Sequence, residues 1–371
     1  MRRIPVSLGP RSYEIVIGHE ILAELGEALR ELEFGSKQMI VTSGTVWNLY
    51  GKIVRDSLEA SGFDVSVTLV SDDEEAKSFQ TLATIFDRLL ESDFERGSGI
   101  IALGGGVVGD VSGFAAATFM RGLRFVQVPT TLLAQVDSSI GGKTGVNHSK
   151  AKNVIGAFHQ PSLVWADTST LSTLSDREIR SGLAEIIKYS VIADPALFKL
   201  LSGSVSSFSN ISRDSLIEIV SRCCSIKARI VEEDEKEQGV RSILNYGHSV
   251  GHALETLTDY ADYTHGEAVA IGMMAAARIS FEIGATDQDM VQSQEDIMKR
   301  AGLPTAITQP IDAIEIMRQL RKDKKRVDER IRWVLPRRLG EVFLTQEVPS
   351  EVVLKVLHDM SSAPEIKAGC I

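Results

Sequence analysis

The first half of the chain alternates between short apolar runs and longer amphipathic stretches. The runs are rich in Val and Ile, and the stretches between them place apolar residues at helical spacing. Strand–helix–strand alternation of this kind predicts a mostly parallel sheet covered by helices. The predicted strands are Tyr13–Ile17, Met39–Thr42, Val65–Val70, Gly99–Leu103, Phe125–Val128 and Leu163–Trp165, and the predicted helices include Leu22–Leu32, Val46–Ser61 and Phe79–Leu90.

After about Thr173 the pattern changes to long segments with helical periodicity. Because 371 residues exceed one ordinary core, we expect two domains: an α/β nucleotide-binding domain over 1–174 and a mainly helical domain over 175–371. The predicted elements of the second domain are helices at Asp176–Ile192, Ser212–Asp234, Ser242–Leu257, Gly266–Ile283, Gln294–Ala301 and Glu351–Met360, and a hairpin of Ile331–Leu335 with Glu341–Leu344.

Composition and charge exclude several classes of protein. The chain is 43% hydrophobic and 24% charged, which is typical of a globular protein, and its net charge of −10 disfavours general binding to nucleic acid or anionic membranes. The apolar stretch Ala268–Ile279 contains Arg278 and is too short to span a bilayer. No apolar run follows Met1–Pro5, and the three cysteines lack metal-type spacing, so we expect a cytoplasmic protein with reduced thiols.

A glycine-rich loop follows the predicted strand Gly99–Leu103. Gly104, Gly106 and Gly109 have the spacing G-x-G-x-x-G and lead into a helical pattern. Such glycines let the backbone approach a pyrophosphate, which the free N–H groups of a helix N-terminus then bind. Residues 126–132 lack the acid that usually binds the ribose, so the loop fits either a dinucleotide site or a plain tight turn.

Three of the seven histidines lie within 18 residues of one another. His248 and His252 are four residues apart, which places them on one face of a helix, and His265 begins the next apolar helix. Glu185 lies upstream on a predicted helix. Two imidazoles and one carboxylate leave a coordination position open, as in catalytic zinc sites, although the spacing leaves open which two histidines bind. The alternative is that they cap helices or form a polar core.

Several cations stand in glycine-rich or uncharged parts of this acidic chain. Together they favour a substrate with more than one anionic group, such as a phosphate and a carboxylate. Individually each could be a solvated side chain, and Lys188 could simply pair with Glu185 one helical turn away. The cations are Arg121, Lys143, Lys152, Lys188, Lys227, Arg241, Lys324 and Lys325, and two further acids of interest are Asp137 and Glu237.

These motifs, in this order, resemble the 3-dehydroquinate synthase family from about Glu74 to Lys325. The resemblance implies a Rossmann-like parallel-sheet NAD domain and a helical metal-binding domain. It also implies a homodimer in which Arg121 reaches the neighbouring site. The matching segments are Gly104–Asp110, Ala117–Gly122, Val128–Asn147, Lys152–Pro161, Ser181–Tyr189, Asp234–Glu255 and His265–Met273.

The resemblance implies a role for each matched residue. The metal ligands, for Zn²⁺ or Co²⁺, would be Glu185, His248 and His265, and the catalytic residues Glu237, His252, Lys188 and Lys143. Substrate would contact Arg121, Asp137, Lys143, Asn153, Lys188, Lys227, Arg241, Asn245, His252 and Lys324 or Lys325. NAD⁺ would contact Asp72, Glu74, Glu75, Lys77, Gly104, Gly105, Gly106, Val107, Val108, Gly109, Asp110, Thr130, Thr131, Lys143, Lys152, Thr170, Leu171, Ser172 and Thr173.

The implied reaction converts 3-deoxy-D-arabino-heptulosonate 7-phosphate into 3-dehydroquinate and phosphate, a step of the shikimate pathway. It proceeds by transient oxidation with NAD⁺, β-elimination, reduction, ring opening and intramolecular aldol addition. The alternatives are another sugar phosphate cyclase, a polyol dehydrogenase of similar architecture, or a metal-binding protein without catalysis. One departure from the family is Ser43-Gly44, where relatives often carry an acid for the adenine ribose.

Overall fold

The computed structural model describes residues 1–149, 151–205, 208, 211–323 and 331–361. Its backbone contacts divide the chain into two compact units. The first contains Met1–Ser175 and Ser212–Lys236, and the second contains the described parts of Asp176–Ile211 and Glu237–Ile371. The sequence-based boundary after residue 174 therefore lies where the chain leaves the first unit, but Ser212–Lys236, which we had assigned to the second domain, belongs to the first unit.

The first unit is built on a seven-stranded sheet of order β1-β2-β9-β6-β5-β3-β4. Strand β1 is antiparallel to β2, and the other pairs are parallel, which confirms the predicted α/β fold. The strands of the whole chain are β1 Arg2–Val6, β2 Tyr13–Gly18, β3 Lys37–Ser43, β4 Asp64–Val70, β5 Gly99–Gly104, β6 Arg124–Pro129, β7 Lys143–His148, β8 Ala151–Phe158, β9 Leu163–Asp167, β10 Trp333–Arg338 and β11 Glu341–Thr345.

Helices cover both faces of this sheet, because successive residues of its strands point to opposite sides. Ile40 packs into a core with Leu25 and Leu58, whereas its neighbour Met39 packs into a second core with Ile85. The helices of the chain are α1 Leu25–Glu31, α2 Gly44–Val46, α3 Lys52–Ala60, α4 Phe79–Glu91, α5 Gly106–Thr118, α6 Asp176–Ala193, α7 Pro195–Ser204, α8 Arg213–Glu233, α9 His248–Leu257, α10 His265–Glu282, α11 Gln288–Arg300, α12 Ala313–Asp323 and α13 Ser350–Ser361.

Helix α8 was predicted as a helix but belongs to the first unit, where it packs on β1 and β2. Its Cys224 Sγ donates to the backbone oxygen of Gln135 at 3.2 Å, and its Lys227 Nζ donates to that of Asp137 at 2.8 Å. These contacts join residues about 90 apart in sequence, a distance over which helical periodicity carries no information.

The hairpin of β7 and β8 was not predicted. It forms a separate two-stranded antiparallel sheet. Its strands come so close that a Cβ at Gly156 would lie 2.0 Å from the backbone oxygen of Thr144. Glycine and polar residues are rare in strands, so the composition of this segment conceals its structure.

In the second unit, close backbone contacts join α10 to α9 and α6. A Cβ at Gly272 on α10 would lie 1.9 Å from the backbone oxygen of Gly247, which precedes α9. A Cβ at Gly266 would lie 2.3 Å from the backbone oxygen of Ser181 on α6. Only glycine permits such contacts. The first places the N-terminus of α9 against α10, and the second places the N-terminus of α10 against α6.

Most of the predicted elements of the second unit are present, but two of the predicted helices have different starts. Helix α11, predicted from Gln294, begins at Gln288. The helix predicted over Ser242–Leu257 begins only at His248, because Val240–Asn245 forms a 3₁₀ helix and Gly247 has a left-handed φ of 82°. Helices α7 and α12 were not predicted. Within the part of the chain that the structure describes, no helix is both long and apolar enough to cross a membrane.

Candidate active site

The N-termini of α9 and α10 place two imidazoles beside a buried carboxylate of α6. His248 and His265 are the first residues of their helices, and Glu185 is completely buried. The Nε2 atoms of both histidines lie 3.7 Å from Oε1 of Glu185. The three side chains can therefore each direct one ligand atom toward a shared point, since these atoms lie within 4.8 Å of one another.

This set of donors fits a divalent transition metal. Two imidazole nitrogens and one carboxylate oxygen are a usual ligand set for catalytic zinc, with a fourth position left for substrate or water. A second group of residues, His252, Glu255 and His265, also lies within 4.8 Å, but His252 is exposed. No member of the first group is exposed, which favours it as the ligand set.

The pKa values of the two histidines are shifted in opposite directions. Burial lowers the pKa of His248 well below its usual value, so its ring is neutral at physiological pH. Burial also opposes charge on His265, but hydrogen bonds to Glu185 and Glu255 outweigh it and raise the pKa of His265 to about 10. In the metal-free protein His265 is therefore an imidazolium ion.

Lys188 lies one turn after Glu185 on α6, and the two side chains form an ion pair that is almost fully buried. The Nζ of Lys188 also lies 4.8 Å from the centre of the Tyr189 ring. The sequence left open whether Lys188 was only the partner of Glu185 or also a site residue. The structure shows the ion pair, and it places Lys188 next to Glu185, one of the candidate metal ligands.

Glu237, Arg241 and Asn245 lie together before α9. The side-chain amide of Asn245 donates to Oε1 of Glu237 at 2.8 Å, and Arg241 is buried in the 3₁₀ helix Val240–Asn245. Glu237 has a φ of 56°, a conformation that costs energy in residues other than glycine and occurs often at functional sites. Asn153 and Arg121, two further predicted substrate contacts, share this feature, with φ of 56° and 68°.

In the first unit, the glycine loop connects β5 to α5 as predicted. Gly104 ends the strand, Gly105 is the N-cap, and Gly106 begins the helix, so the loop presents free backbone N–H groups. Val108 and Gly109, which were also expected to contact NAD⁺, are buried. The Val108 side chain packs into the core, and a Cβ at Gly109 would lie 2.8 Å from the Gln127 side chain, so glycine allows α5 to pack closely here.

Lys77, a predicted NAD⁺ contact, is buried and contacts the side chains of several other predicted site residues. Its Nζ lies 2.8 Å from the Asp110 carboxylate and 3.6 Å from that of Glu74, and it donates to the side chain of Asn153. Burial opposes the charge on Lys77, but the two carboxylates outweigh it and raise its pKa. Lys152 lies 3.5 Å from Glu74, so this network joins the segment after β4 to the β7–β8 hairpin.

Lys227 on α8 forms an ion pair with Asp137, with Nζ 2.9 Å from Oδ2. Both were predicted to contact substrate, and the pair brings these two residues together within the first unit. Lys143 and Arg121 have exposed side chains. Lys324 and Lys325 lie outside the described residues.

The remaining predicted NAD⁺ contacts lie at the ends of strands. Thr130 and Thr131 follow β6, and the 3₁₀ helix Thr168–Thr173 follows β9. Asp72 follows β4 and accepts a hydrogen bond from Thr45 at 2.6 Å, whereas Ser43 accepts one from the backbone N of Val46. Glu75 is exposed in the 3₁₀ turn Glu74–Ala76.

Three polar residues near these sites were missed by the sequence analysis. Glu255 lies beside His265, with Oε1 3.3 Å from Nδ1. The carboxylate of Asp167 accepts hydrogen bonds from the backbone N of Glu20, Ile21, Leu22 and Ser169, which ties the 168–173 turn to β2. Ser138 Oγ is buried, has no hydrogen-bond partner among the described residues and lies beside Gly106. Of these three residues, only Glu255 could have been found from the sequence, because it follows His252 by three residues and so lies on the same face of α9.

Comparison with known protein families identifies both halves of the chain. Residues 67–181 match the 3-dehydroquinate synthase N-terminal family, and residues 182–326 match the 3-dehydroquinate synthase C-terminal family. The chain is 45% identical over 356 residues to a 3-dehydroquinate synthase of Rippkaea orientalis, covering 95% of this chain and 97% of that one. It is 45% identical over 359 residues to one of Thermodesulfovibrio yellowstonii, covering 97% and 100%.

Solved structures show a similar fold. A 2-deoxy-scyllo-inosose synthase in complex with carbaglucose-6-phosphate, NAD⁺ and Co²⁺ has a TM-score of 0.88 and 26% identity, covering 97% of this chain and 100% of that one. A 2-epi-5-epi-valiolone synthase from Streptomyces hygroscopicus with NAD⁺ and Zn²⁺ has a TM-score of 0.87 and 28% identity, covering 95% and 98%. A sulfoacetaldehyde reductase from Bifidobacterium kashiwanohense, 15% identical with a TM-score of 0.69, shares the fold.

Zinc binding is expected to release a proton. Because the pKa of His265 is raised to about 10, its ring is protonated at pH 8, and a metal can bind Nε2 only after that proton leaves. Titration calorimetry at pH 8 in buffers of different ionisation enthalpy should therefore show release of about one proton per zinc, with affinity rising as pH rises toward the pKa. Zinc binding with no proton release would contradict this arrangement.

Proposed function

The chain belongs to the 3-dehydroquinate synthase family, and from that premise we propose how its residues perform the family's reaction. It is an enzyme, a carbon–oxygen lyase acting on phosphates, which converts 3-deoxy-D-arabino-heptulosonate 7-phosphate into 3-dehydroquinate and phosphate. The observation that carries the proposal is that the structure brings together Glu185, His248 and His265, in a chain that matches this family over most of its length.

The chain uses NAD⁺ and a divalent metal, Zn²⁺ or Co²⁺, as its structural relatives do. Bound NAD⁺ would supply a reversible hydride transfer at C5 of the substrate, and a bound metal would supply Lewis-acid polarisation of the substrate oxygen there. Glu185, His248 and His265 would hold the metal, and the N-terminus of α5 with Gly104–Gly106 would bind the dinucleotide phosphates.

We propose that the buried cations orient the substrate's phosphate and carboxylate. Lys188 and Lys227 are held by Glu185 and Asp137, so they need little further ordering when an anion binds. The positive charge of each lysine is then fixed where negative charge would develop on the leaving phosphate. The other proposed substrate contacts are Arg121, Asp137, Lys143, Asn153, Arg241, Asn245, His252 and Lys324 or Lys325.

Proton transfer is assigned to Glu237 and His252. Asn245 donates to one oxygen of Glu237, which holds that carboxylate as a base. His252 is exposed, and its ring centre lies 5.3 Å from that of His248 and 6.3 Å from that of His265. His252 can therefore act beside the metal ligands.

A homodimer, with Arg121 acting in the neighbouring site, is the assembly that we propose. Met120 and Arg121 both have positive φ, 47° and 68°, so the backbone is strained where it presents these side chains outward. The large apolar side chains of Met120 and Phe158 are 41% and 45% exposed. His159, which follows Phe158, lies 2.9 Å from the backbone oxygen of Leu123, so both segments contribute to the same surface of the first unit. A partner subunit would cover this surface.

The cytoplasm is the proposed site of the reaction. Cys223 and Cys224 are buried thiols, and burial raises the pKa of Cys224 to about 12, so it stays protonated and unreactive. Thiols of this kind are usual in reducing compartments.

The reaction is tested by following phosphate release and NADH absorbance together. With NAD⁺, zinc and the heptulosonate phosphate, we expect phosphate release with no accumulation of NADH. Lys143→Met should lower kcat/KM about 10- to 150-fold, the effect of losing a charge-assisted hydrogen bond of roughly 1.5–3 kcal/mol. Lys52→Met on α3, whose side chain is 86% exposed, is the matched control and should leave the rate unchanged.

Other outcomes of this assay would favour the alternatives. Steady accumulation of NADH would favour a polyol dehydrogenase. Phosphate release from a hexose 6-phosphate, but not from the heptulosonate phosphate, would favour another sugar phosphate cyclase.

The role of Arg121 is tested by complementation between two inactive variants. Arg121→Ala and Glu185→Ala subunits, carrying different tags, are co-expressed and the mixed dimer is purified. If Arg121 acts in the neighbouring site, one of the two sites of the mixed dimer contains both residues, so activity should return to about half that of the parent dimer. A mixed dimer as inactive as either parent variant would show that Arg121 acts within its own subunit.

A further inference from the structure

The inference concerns Glu255, which no step of the reaction above uses. It is a carboxylate on α9 that is 9% exposed, and burial of an acid requires compensation. Its Oε1 lies 3.3 Å from Nδ1 of His265. The other ring nitrogen of His265, Nε2, points to Glu185 at 3.7 Å. The two carboxylates therefore contact opposite sides of the same imidazole.

A carboxylate can only accept a hydrogen bond, so the Nδ1 atom that faces Glu255 must carry a proton. When a metal displaces the second proton of the ring, the lone pair is therefore on Nε2, the atom that faces Glu185. His248 has the same arrangement by a different route, since its Nδ1 lies 3.1 Å from the backbone oxygen of Tyr246 and its Nε2 faces Glu185. Both imidazoles are thus oriented with Nε2 toward one point.

We propose that Glu255 is a positioning residue for the metal site: it holds the Nδ1 proton of His265, so that Nε2 is the atom that binds the metal. This role rests on the proposed function, because it assumes the ligand set Glu185, His248 and His265. Hydrogen bonds of this kind orient metal-binding histidines and strengthen their bond to the metal.

The alternative for Glu255 is that it binds the metal directly, together with His252 and Nδ1 of His265, the second group of possible ligands. One observation disfavours this. His252 is exposed, whereas no member of the group Glu185, His248 and His265 is exposed.

The test measures zinc affinity of the full chain by competition with a chromogenic chelator. Glu255→Leu removes the acceptor and should raise the Kd for zinc about 100-fold, whereas Glu255→Gln keeps an acceptor without charge and should raise it about 10-fold. Glu267→Gln is the matched control: it removes a charge two residues from His265, but glutamine preserves the capping box with Thr264, so zinc affinity should stay within twofold of the parent.

A second readout separates positioning from direct binding. In ¹H–¹⁵N spectra of zinc-loaded, histidine-labelled protein, we expect His265 to carry its proton on Nδ1 and the metal on Nε2. The reverse pattern would make Glu255 a ligand and overturn the proposal. Equal zinc affinity in the parent and both Glu255 variants would overturn this role alone, whereas a folded parent that binds no zinc would overturn the metal site itself and this role with it.

Discussion

The buried carboxylate of Glu185 is the constraint on which the metal-binding part of the structure depends. A charge in a protein interior is costly unless cations or hydrogen-bond donors surround it. Here Lys188 and two imidazoles do so. Their positions depend in turn on the close packing of α10 against α9 and α6, because Gly272 and Gly266 permit backbone contacts that any side chain would prevent. A metal ion bound by Glu185, His248 and His265 would add to the stabilisation of the buried carboxylate that Lys188 provides.

The same principle governs the first unit. Cations in uncharged parts of the acidic chain were expected to bind an anionic substrate. The structure pairs one of them, Lys227, with Asp137, and it pairs the predicted NAD⁺ contact Lys77 with Asp110. A paired, buried lysine is held in one place, so an arriving anion meets an ordered donor and pays less conformational entropy. In the proposed reaction, the lysines of these pairs would be fixed positions of positive charge.

Local patterns were enough to predict much of the fold and part of the site. The alternating runs predicted the central strands, and the spacing of His248 and His252 predicted a shared helix face. The sequence could not show that α8 packs on β1 and β2, because that contact joins distant residues. The β7–β8 hairpin escaped notice because glycine and polar residues interrupt its apolar positions. The choice among three histidines depended on the resemblance to the family, since the start of α9 at His248 and the position of Glu255 exist only in the folded chain.

The most direct test of this account is an anomalous-difference map at the zinc edge, from crystals of the full chain loaded with zinc. The account predicts a single strong peak within bonding distance, about 2.0–2.2 Å, of a Glu185 oxygen and of Nε2 of both His248 and His265. A peak held by His252, Glu255 and Nδ1 of His265, or no peak near Glu185 in protein that binds zinc in solution, would contradict it.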